Sequence, residues 1–339
     1  MAVTMQDIAK GVGVSVVTVS KVLRNKGEIS AATRARVLRR AKALNYQTNW
    51  IARSLVTRRT FTIGLLLPDF THPFFAEIAK AVAETVRPHG YHVVISYFEE
   101  NPELERNEAE SLLARQVDGL ILASAQTGVK AFADMQKRKV PFVLIDRPIA
   151  GVQASFVGVD NHAIGQLATA HLINQGCRRI AHLRGPGIGI ATGRMQGYRS
   201  ALAKRGLPFY PGYVVDAGYH DDSGHAAMRT LLKKKPVPDG VFCYNDPLAT
   251  GAMDYAIEHG VRIPEDMAII GCGNLHYDDS LRVGLSSIDQ HSRRIGEAAA
   301  RIALGILGSR VPPAPETVIL QPELVIRAST RRKARRRGR

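Results

Sequence analysis

The sequence predicts an α/β protein with an N-terminal headpiece of three helices, including a helix-turn-helix, and a bilobed core of two parallel-sheet subdomains. Residues 1–60 show helical periodicity around a glycine turn, and residues 61–330 alternate apolar strand-length runs with helical segments. The third observation is charge: residues 1–60 hold 12 basic and 2 acidic side chains, residues 331–339 hold 7 basic and none acidic, and the rest hold 27 and 28. Two basic ends on a near-neutral body indicate that the ends bind a polyanion and that residues 61–330 have a different function.

The first two helices are predicted around a tight turn within residues 5–23. Ala9 is small where the helices would touch, and Gly13 allows the positive φ that such a turn needs. Ser15 then serves as the N-cap of the second helix.

The second helix is predicted to have an inward and an outward face. The inward face consists of Val19, Val22 and Leu23. The outward face, at the N-terminal end where a recognition helix meets base edges, consists of Val16, Val17, Ser20 and Lys21. Outward valines need an apolar partner such as a thymine methyl, and Lys21 can donate to guanine O6 or N7. A solvated helical hairpin is the alternative interpretation.

A third helix is predicted to open near Ser30 and to complete the headpiece. Its apolar positions at helical spacing are Thr33, Val37, Leu38, Ala41 and Leu44. Residues 45–59 follow and are helix-compatible but too short for a stable isolated helix, which is typical of a hinge.

The body contains seven strand-like apolar runs, at 62–67, 91–95, 118–122, 142–146, 179–183, 239–243 and 267–271. Such runs, alternating with helices, predict parallel sheets covered on both faces. Two Asp-Gly pairs, at 118 and 239, follow Ile63 and Ile180 by 55 and 59 residues. Two similar halves predict a periplasmic-binding-protein-like core, with a ligand in the cleft off the carboxyl ends of the strands.

A family resemblance rests on motifs that occur in order along the chain. They are D-I-A at 7–9, V-G-V-S-V-V-T-V-S-K-V-L at 12–23, T-R-x-R-V-L at 33–38, L-N-Y-x-x-N-x-x-A-R-S-L at 44–55 and T-x-x-I-G-L-L-L-P-D at 60–69. Over roughly residues 3–328 the chain resembles the lactose-repressor (LacI/GalR) family of bacterial transcription regulators. The resemblance implies a hinge that folds on binding as a paired helix in the minor groove, with Leu55 as the wedge at a central base step.

The resemblance and the helix pattern together give the expected DNA contacts. These are Thr4, Ser15, Val16, Val17, Thr18, Ser20, Lys21, Asn25, Asn49, Ala52, Arg53 and Leu55. The expected partner is a double-stranded, pseudo-palindromic operator bound by a homodimer, because a two-fold operator needs paired headpieces and the heptads of a tetramerising coiled coil are absent from the sequence.

The expected domains follow from the same reading. They are a DNA-binding domain at 1–48, a hinge at 49–60, an N-terminal effector subdomain at 61–160 with 291–320, a C-terminal effector subdomain at 161–290 with 321–330, and a disordered basic tail at 331–339. The tail adds phosphate contacts or simply solubility, and both interpretations stay open.

The expected effector pocket combines strand-end residues with the family's pocket. Its residues are His72, Phe74, Phe75, Asp146, Asp160, Arg184, Arg194, Tyr219, Asn245, Asp246 and Gln290. By resemblance, Phe74, Phe75 and Tyr219 stack on a flat or ring-shaped ligand and the polar side chains bind its edge. Gly273 stands where the family often has Asp, and Arg184 ends a strand where small residues are usual, so we hypothesise an anionic effector such as a sugar acid. Alternatively, Arg184 points to solvent and Gly273 merely alters a turn.

Other function classes find less support in the sequence. It has no GxxxxGK[ST], HExxH or GxSxG motif, and Cys177, Cys243 and Cys272 form no CxxC, so we predict no enzyme, no cofactor and no metal. Without a signal-like or membrane-spanning apolar run, the expected location is the cytoplasm, at the nucleoid. Two alternatives to an effector-controlled repressor remain, a nucleoid-type architectural protein and a regulator controlled by a protein corepressor. The sequence does not distinguish an inducer from a corepressor.

Overall fold

The fold is known from a computed structural model that describes residues 3–23, 27–46, 54, 57, 59–186 and 189–332. The chain divides into two compact units, Met1–Thr60 and Phe61–Arg339, which are described separately. In these ranges no helix is both long enough and apolar enough to cross a membrane. The predicted fold class is confirmed, with helices in the first unit and two sheets with flanking helices in the second.

The described part of the first unit, which we call the headpiece, contains three helices around a small apolar core. They are α1 (Met5–Val12), α2 (Val16–Leu23) and α3 (Ala31–Ala43). Ile8 of α1, Val19 of α2 and Val37 of α3 are fully buried and form its centre. Leu38 differs from the prediction because it is 47% exposed, one helical step away from the buried face of Val37.

Helix ends in the headpiece are set by local side-chain chemistry. Gly13 ends α1 with φ +71°, a conformation that glycine adopts without strain. The Ser15 hydroxyl oxygen accepts the amide of Thr18 at 3.1 Å and caps α2, as the sequence predicts. Ser30 caps α3 in the same way by accepting the amide of Thr33 at 3.3 Å.

The second unit begins with the lobe that we call the N-terminal lobe. Its strands are β1 (Thr62–Leu67), β2 (His92–Tyr97), β3 (Gly119–Leu122), β4 (Phe142–Ile145), β5 (Ser155–Val159) and β11 (Thr317–Leu320). Its helices are α4 (Pro73–Val86), α5 (Pro102–Ala114), α6 (Ala133–Lys137) and α11 (Ser292–Gly308). The described strands form a parallel sheet in the order β11-β5-β4-β3-β1-β2. Its central strands are buried apolar runs, which explains why the sequence reveals them.

The C-terminal lobe repeats this architecture. Its strands are β6 (Ile180–Arg184), β7 (Val214–Asp216), β8 (Gly240–Cys243), β9 (Ala268–Cys272), β10 (Ser286–Asp289) and β12 (Glu323–Val325). Its helices are α7 (Asn161–Asn174), α8 (Gly189–Lys204), α9 (Asp221–Leu232) and α10 (Asp246–Glu258). The sheet order is β12-β10-β9-β8-β6-β7, and β12 pairs antiparallel with β10 whereas the other pairs are parallel.

The two Asp-Gly pairs occupy equivalent places in the two sheets. Asp118 precedes β3, and its carboxylate accepts the amide of Phe61 at 2.9 Å, just before β1. Asp239 precedes β8 and accepts the amide of Arg179 at 2.8 Å, just before β6. The same side chain therefore aligns a central strand with its neighbour in both lobes.

Described segments of the chain pass between the lobes at three places. β5 leads into α7 through Asp160, β10 leads into α11 through 290–291, and β11 leads into β12 through 321–322. These crossovers lie beside the carboxyl ends of β5 and β10, where the cleft between the lobes begins.

Candidate functional site

The outer face of α2 is the candidate DNA-reading surface of the headpiece. Val17 is 64% exposed and Val16 is 38% exposed, whereas Val19 and Val22 on the same helix are buried. Lys21 is exposed one turn further on. An exposed apolar pair followed by a cation at the start of a helix offers contacts to thymine methyl groups and to guanine acceptors.

Two other predicted DNA contacts have a structural position in the headpiece. Ser20 is only 8% exposed, so its predicted outward direction is wrong. Position 20 directly follows Val19 of the inward face. Thr4 caps α1, because its amide and its hydroxyl both donate to the Asp7 carboxylate at 2.8 Å. These bonds hold the pKa of Asp7 below its ordinary value, the backbone bond contributing most.

Five predicted DNA contacts and two predicted segments lie wholly or largely outside the described residues. The contacts are Asn25, Asn49, Ala52, Arg53 and Leu55, and the segments are the hinge at 49–60 and the tail at 331–339. Their roles stay predictions.

The candidate ligand site of the core is a cleft between the two lobes. In both lobes its lining comes mainly from residues that follow strands and from the beginnings of helices. The lining residues are Asp69, His72, Phe74, Phe75, Glu100, Asp146, Arg147, Pro186, Ile190, Arg194, Tyr219, Tyr244, Asn245 and Gln290. The cavity has a volume of about 40 Å³. In this arrangement of the lobes the space between the lining residues is therefore small.

One wall of the cleft is aromatic. Phe74 and Phe75 stand on the first turn of α4, with ring centroids 5.1 Å apart in an edge-to-face arrangement. Tyr219 and His72 face each other across the cleft at 6.4 Å between ring centroids. Apolar faces of this kind pack against the C–H groups of a ring-shaped ligand.

The polar wall of the N-terminal lobe is an acid–base cluster. Arg147 donates from both terminal nitrogens to the Glu100 carboxylate, at 2.6 Å for the Nη1 bond. Its Nε lies 3.6 Å from the Asp146 carboxylate and has no hydrogen-bond partner. Asp146 adopts φ +63°, a strained conformation for a non-glycine residue, and burial raises the pKa of its carboxyl. Asp146 and the Arg147 Nε therefore offer an acceptor and a donor to a ligand hydroxyl.

Arg194 of α8 braces the opposite side of the cleft. It is 3% exposed and donates to Asn161 at 3.0 Å, to Gln290 at 2.5 Å and to the carbonyl of Tyr244. Its guanidinium carbon also lies 4.5 Å from the centre of the Tyr244 ring. Because Asn161 and Gln290 follow β5 and β10, this arginine connects the pocket to two of the crossovers between the lobes.

Two polar contacts join the lobes across the cleft. The amide nitrogen of Asn245, in the C-terminal lobe, lies 3.1 Å from the Nε2 of His72 and donates to the carbonyl of Tyr219 at 2.8 Å. Its amide oxygen accepts Leu248 N at 2.9 Å and caps α10, which fixes its orientation. Burial lowers the pKa of His72 to about 4, so this ring is neutral at pH 7. His220 lies 3.8 Å from Asp69 in the second contact.

Eight of the eleven predicted effector residues line the cleft, and three do not. Asp160 caps α7 by accepting the amide of Ala163 at 2.9 Å. Arg184 pairs with Asp216 at 2.5 Å on the neighbouring edge strand β7, away from the lining. The alternative interpretation of Arg184 therefore matches the structure better than the anion-binding one.

Asp246 is the third residue outside the lining, and it explains Gly273. Its carboxylate is fully buried, accepts the Ser287 hydroxyl at 2.7 Å, and lies beside Gly271 of β9 and Gly273, which follows that strand. A Cβ at position 273 would be 2.6 Å from the Asp246 carboxylate, and Gly273 itself has φ +148°. This packing requires a glycine at position 273, which supports the alternative interpretation that the residue sets the turn. The carboxylate of Asp246 lies outside the cleft lining, so it adds no negative charge there.

Six lining residues are not among the eleven predicted effector residues. They are Asp69, Glu100, Arg147, Pro186, Ile190 and Tyr244. Asp69 and Arg147 follow β1 and β4 and are strand-end candidates in the sequence, and the same rule that ligands bind off strand ends applies to Glu100 after β2 and Tyr244 after β8. Pro186 also follows a strand, β6, by two residues, whereas Ile190 lies in the first turn of α8 and carries no strand-end signal.

The formal charge of the lining is not positive. Three carboxylates, of Asp69, Glu100 and Asp146, face two guanidinium groups, of Arg147 and Arg194. Since His72 is neutral, the lining carries one net negative charge, or none when Asp146 is protonated. Donors and acceptors beside an aromatic wall suit a neutral ligand with several hydroxyl groups.

Comparison with family models and known proteins gives independent information. Residues 4–49 match the model for bacterial regulatory proteins of the lacI family, and residues 169–330 match that for a periplasmic binding protein-like domain. The chain is 36% identical over 302 residues to the ribose operon repressor of Halalkalibacterium halodurans, covering 89% of each chain.

Two solved structures extend the similarity to nearly the whole chain. The transcriptional regulator CelR in complex with cellobiose is 31% identical with a TM-score of 0.73, covering 96% of this chain and 99% of that one. The lac repressor dimer bound to operator and the anti-inducer ONPF is 26% identical with a TM-score of 0.85, covering 97% and 99%.

Proposed function

Because the chain belongs to the lacI family of bacterial regulatory proteins, we propose that it represses transcription by binding a two-fold operator as a dimer under the control of a neutral sugar or related polyol. One observation carries the proposal: a helix-turn-helix with an exposed valine pair and a bilobed cleft lined by hydrogen-bonding groups belong to the same chain. The first suits base reading and the second suits a small polar ligand.

DNA recognition is assigned to the outer face of α2. Val16 and Val17 contact apolar base edges in the major groove, and Lys21 donates to a guanine. Ser15 and Thr18 hold the first turn of α2 through their mutual hydrogen bonds and present the helix N-terminus to a phosphate. Operator binding places the protein at the nucleoid, and the two basic ends of the sequence add contacts that depend on salt.

Ligand control acts through the arrangement of the lobes. A ligand shifts DNA binding only if it binds the DNA-competent and the incompetent arrangement with different affinities. Such a ligand would touch His72 and Asn245, whose Nε2 and Nδ2 atoms lie 3.1 Å apart across the cleft, or would replace the contact of Arg194 with Gln290 at the crossover. We assign binding and no chemical conversion to the cleft, and both an inducer and a corepressor fit this scheme.

The nature of the ligand follows from the charge of the lining. Asp146 accepts hydroxyl hydrogens, Arg147 Nε and Asn245 donate, and the aromatic wall covers the ring. Two similar proteins support the same class of compound, since one is a ribose operon repressor and the other, CelR, is in complex with cellobiose. A sugar acid would add a carboxylate to a cleft that already holds three.

The test combines operator selection with calorimetry on the full chain. Selection from random duplexes should give a pseudo-palindrome, and titration with neutral sugars and their acids should show binding of a neutral member. Random DNA bound as tightly as the selected duplex would contradict sequence-specific repression. Preference for a sugar acid over its neutral parent would contradict the assigned ligand class.

A further inference from the structure

We infer that Glu100 is a charge-selectivity residue, which saturates the buried Arg147 guanidinium and thereby excludes anionic ligands from the cleft. The inference rests on the proposed sugar-binding function and specifies how this chain discriminates between a sugar and its acid.

The loop between β2 and α5 is shaped to deliver the Glu100 carboxylate. Glu99 and Glu100 have φ values of +53° and +56°, so two successive non-glycine residues adopt the left-handed conformation. Asn101 follows and caps α5 by accepting the amides of Glu103 and Leu104 at 2.9 and 3.2 Å. This turn directs one of two neighbouring carboxylates into the cleft, whereas Glu99 remains exposed.

The Glu100–Arg147 pair is enclosed and geometrically matched. The side chain of Arg147 is 10% exposed and that of Glu100 is 24% exposed, and both terminal nitrogens of the guanidinium bind the carboxylate. Two parallel N–H bonds to one carboxylate are the strongest arrangement available to arginine. Together with nearby Asp146, this pairing raises the pKa of Arg147, although burial alone would lower it. Only Nε is left without a hydrogen bond.

Removal of the Glu100 charge would convert this corner into an anion site. Loss of Glu100 leaves both terminal nitrogens of the buried guanidinium without their carboxylate, and Asp146, 3.6 Å from Nε, stays as its remaining ion-pair partner. Burying a guanidinium whose terminal nitrogens are unpaired is unfavourable. A ligand carboxylate that takes the place of Glu100 would restore the pairing. In the native protein the same ligand meets an occupied guanidinium and the carboxylates of Asp69 and Asp146.

The first experiment compares thermal unfolding of the full-length wild type, Glu100→Gln and the matched control Glu99→Gln. Formate is the probe, and chloride maintains equal ionic strength. We expect formate to raise the Tm of Glu100→Gln in a dose-dependent manner and to leave the other two unchanged. Equal responses of all three proteins would overturn the inference. If Glu100→Gln is unfolded in chloride, recovery of a cooperative transition in formate supports the inference, and failure to recover refutes it.

The second experiment titrates the same proteins with paired neutral sugars and sugar acids, beginning with ribose and ribonate. Wild type and Glu99→Gln should prefer the neutral member, and Glu100→Gln should shift the ratio of affinities toward the acid by at least about tenfold, as loss of a buried opposing charge implies. An unchanged ratio would refute the role of Glu100. If no sugar pair binds any protein, the sugar-binding function fails, while the formate series still decides the role of Glu100.

Discussion

Replacement of Asn245 tests how the cleft is held closed. Its amide oxygen caps α10 at 2.9 Å, and its amide nitrogen donates to the Tyr219 carbonyl at 2.8 Å and lies 3.1 Å from the Nε2 of His72. Asn245→Ala removes the cap, the hydrogen bond to Tyr219 and the contact with His72. A lost N-cap costs about 1 kcal/mol and a lost buried hydrogen bond about 0.5–1.5 kcal/mol. From the cap and the Tyr219 bond we therefore expect the free energy of unfolding to fall by about 1.5–2.5 kcal/mol.

Asn245→Asp is the matched control, because a carboxylate oxygen keeps the cap. It loses the donor to Tyr219, so we expect a loss of about 1 kcal/mol. The new carboxylate also lies beside the Nε2 of His72 and should raise the pKa of that ring from about 4. A raised histidine pKa adds stability that is present at low pH and is lost as the pH rises through the folded pKa.

The assay is urea unfolding of the full chain between pH 5 and pH 8, followed by circular dichroism. Asn245→Ala should be the less stable variant throughout, and the advantage of Asn245→Asp should be greatest at pH 5. Equal losses for both variants at every pH would show that neither the cap nor the contact between the lobes has the assigned role.

Three further predictions concern the headpiece and the floor of the C-terminal lobe. Val17→Ala should weaken operator binding by about 1–1.5 kcal/mol per headpiece, because two methyl-sized groups are no longer buried against the DNA. Leu38→Ala, which changes another exposed side chain, should not weaken it. Band-shift titration on operator and random DNA measures both, and equal losses of Val17→Ala on the two DNAs would refute base reading. Gly273→Ala should lower the free energy of unfolding by more than about 1 kcal/mol. The new Cβ would lie 2.6 Å from the Asp246 carboxylate, and the backbone at position 273 has φ +148°. Urea unfolding measures this, and an unchanged stability would contradict the packing described. Burial, reinforced by the Asp246 charge, raises the pKa of Asp278. The protonated carboxyl therefore contributes stability that is complete below the unfolded pKa of about 4 and is lost as the pH rises through the folded pKa. Asp278→Asn should flatten the decline of the unfolding free energy toward alkaline pH, and an unchanged decline would argue against a protonated carboxyl.

The central strands of both lobes were predictable because their signal is local. β1, β3 and β8 are continuous apolar runs of the length of a strand. A strand that is buried on both faces of a sheet needs apolar side chains at successive positions, so these strands stand out in the sequence. The edge strands β7, β11 and β12 have at most three consecutive apolar residues within the strand, and their side chains are only partly buried or exposed. Their positions depend on the crossovers, which the local sequence does not encode.

The site was partly predictable for the same reason. Residues that follow apolar strands, such as Asp146 and Asn245, are placed at the cleft by sheet topology alone. The direction of Arg184 depends on Asp216 in the adjacent strand, 32 residues further along the chain. The sequence does not show such a pairing, so two departures from the family pattern, at positions 184 and 273, predicted a positive cleft where the charged groups of the lining sum to a neutral or negative one.

The most direct test of ligand control is the operator affinity of the full chain with and without a saturating neutral sugar identified by calorimetry. Fluorescence anisotropy at fixed salt gives the Kd in each state, and the corresponding sugar acid serves as the comparison. We expect the neutral sugar to change the Kd at least about fivefold, the lower end of typical allosteric coupling, and the acid to leave it unchanged. The same Kd with and without a bound neutral sugar would contradict ligand control of this protein through its cleft.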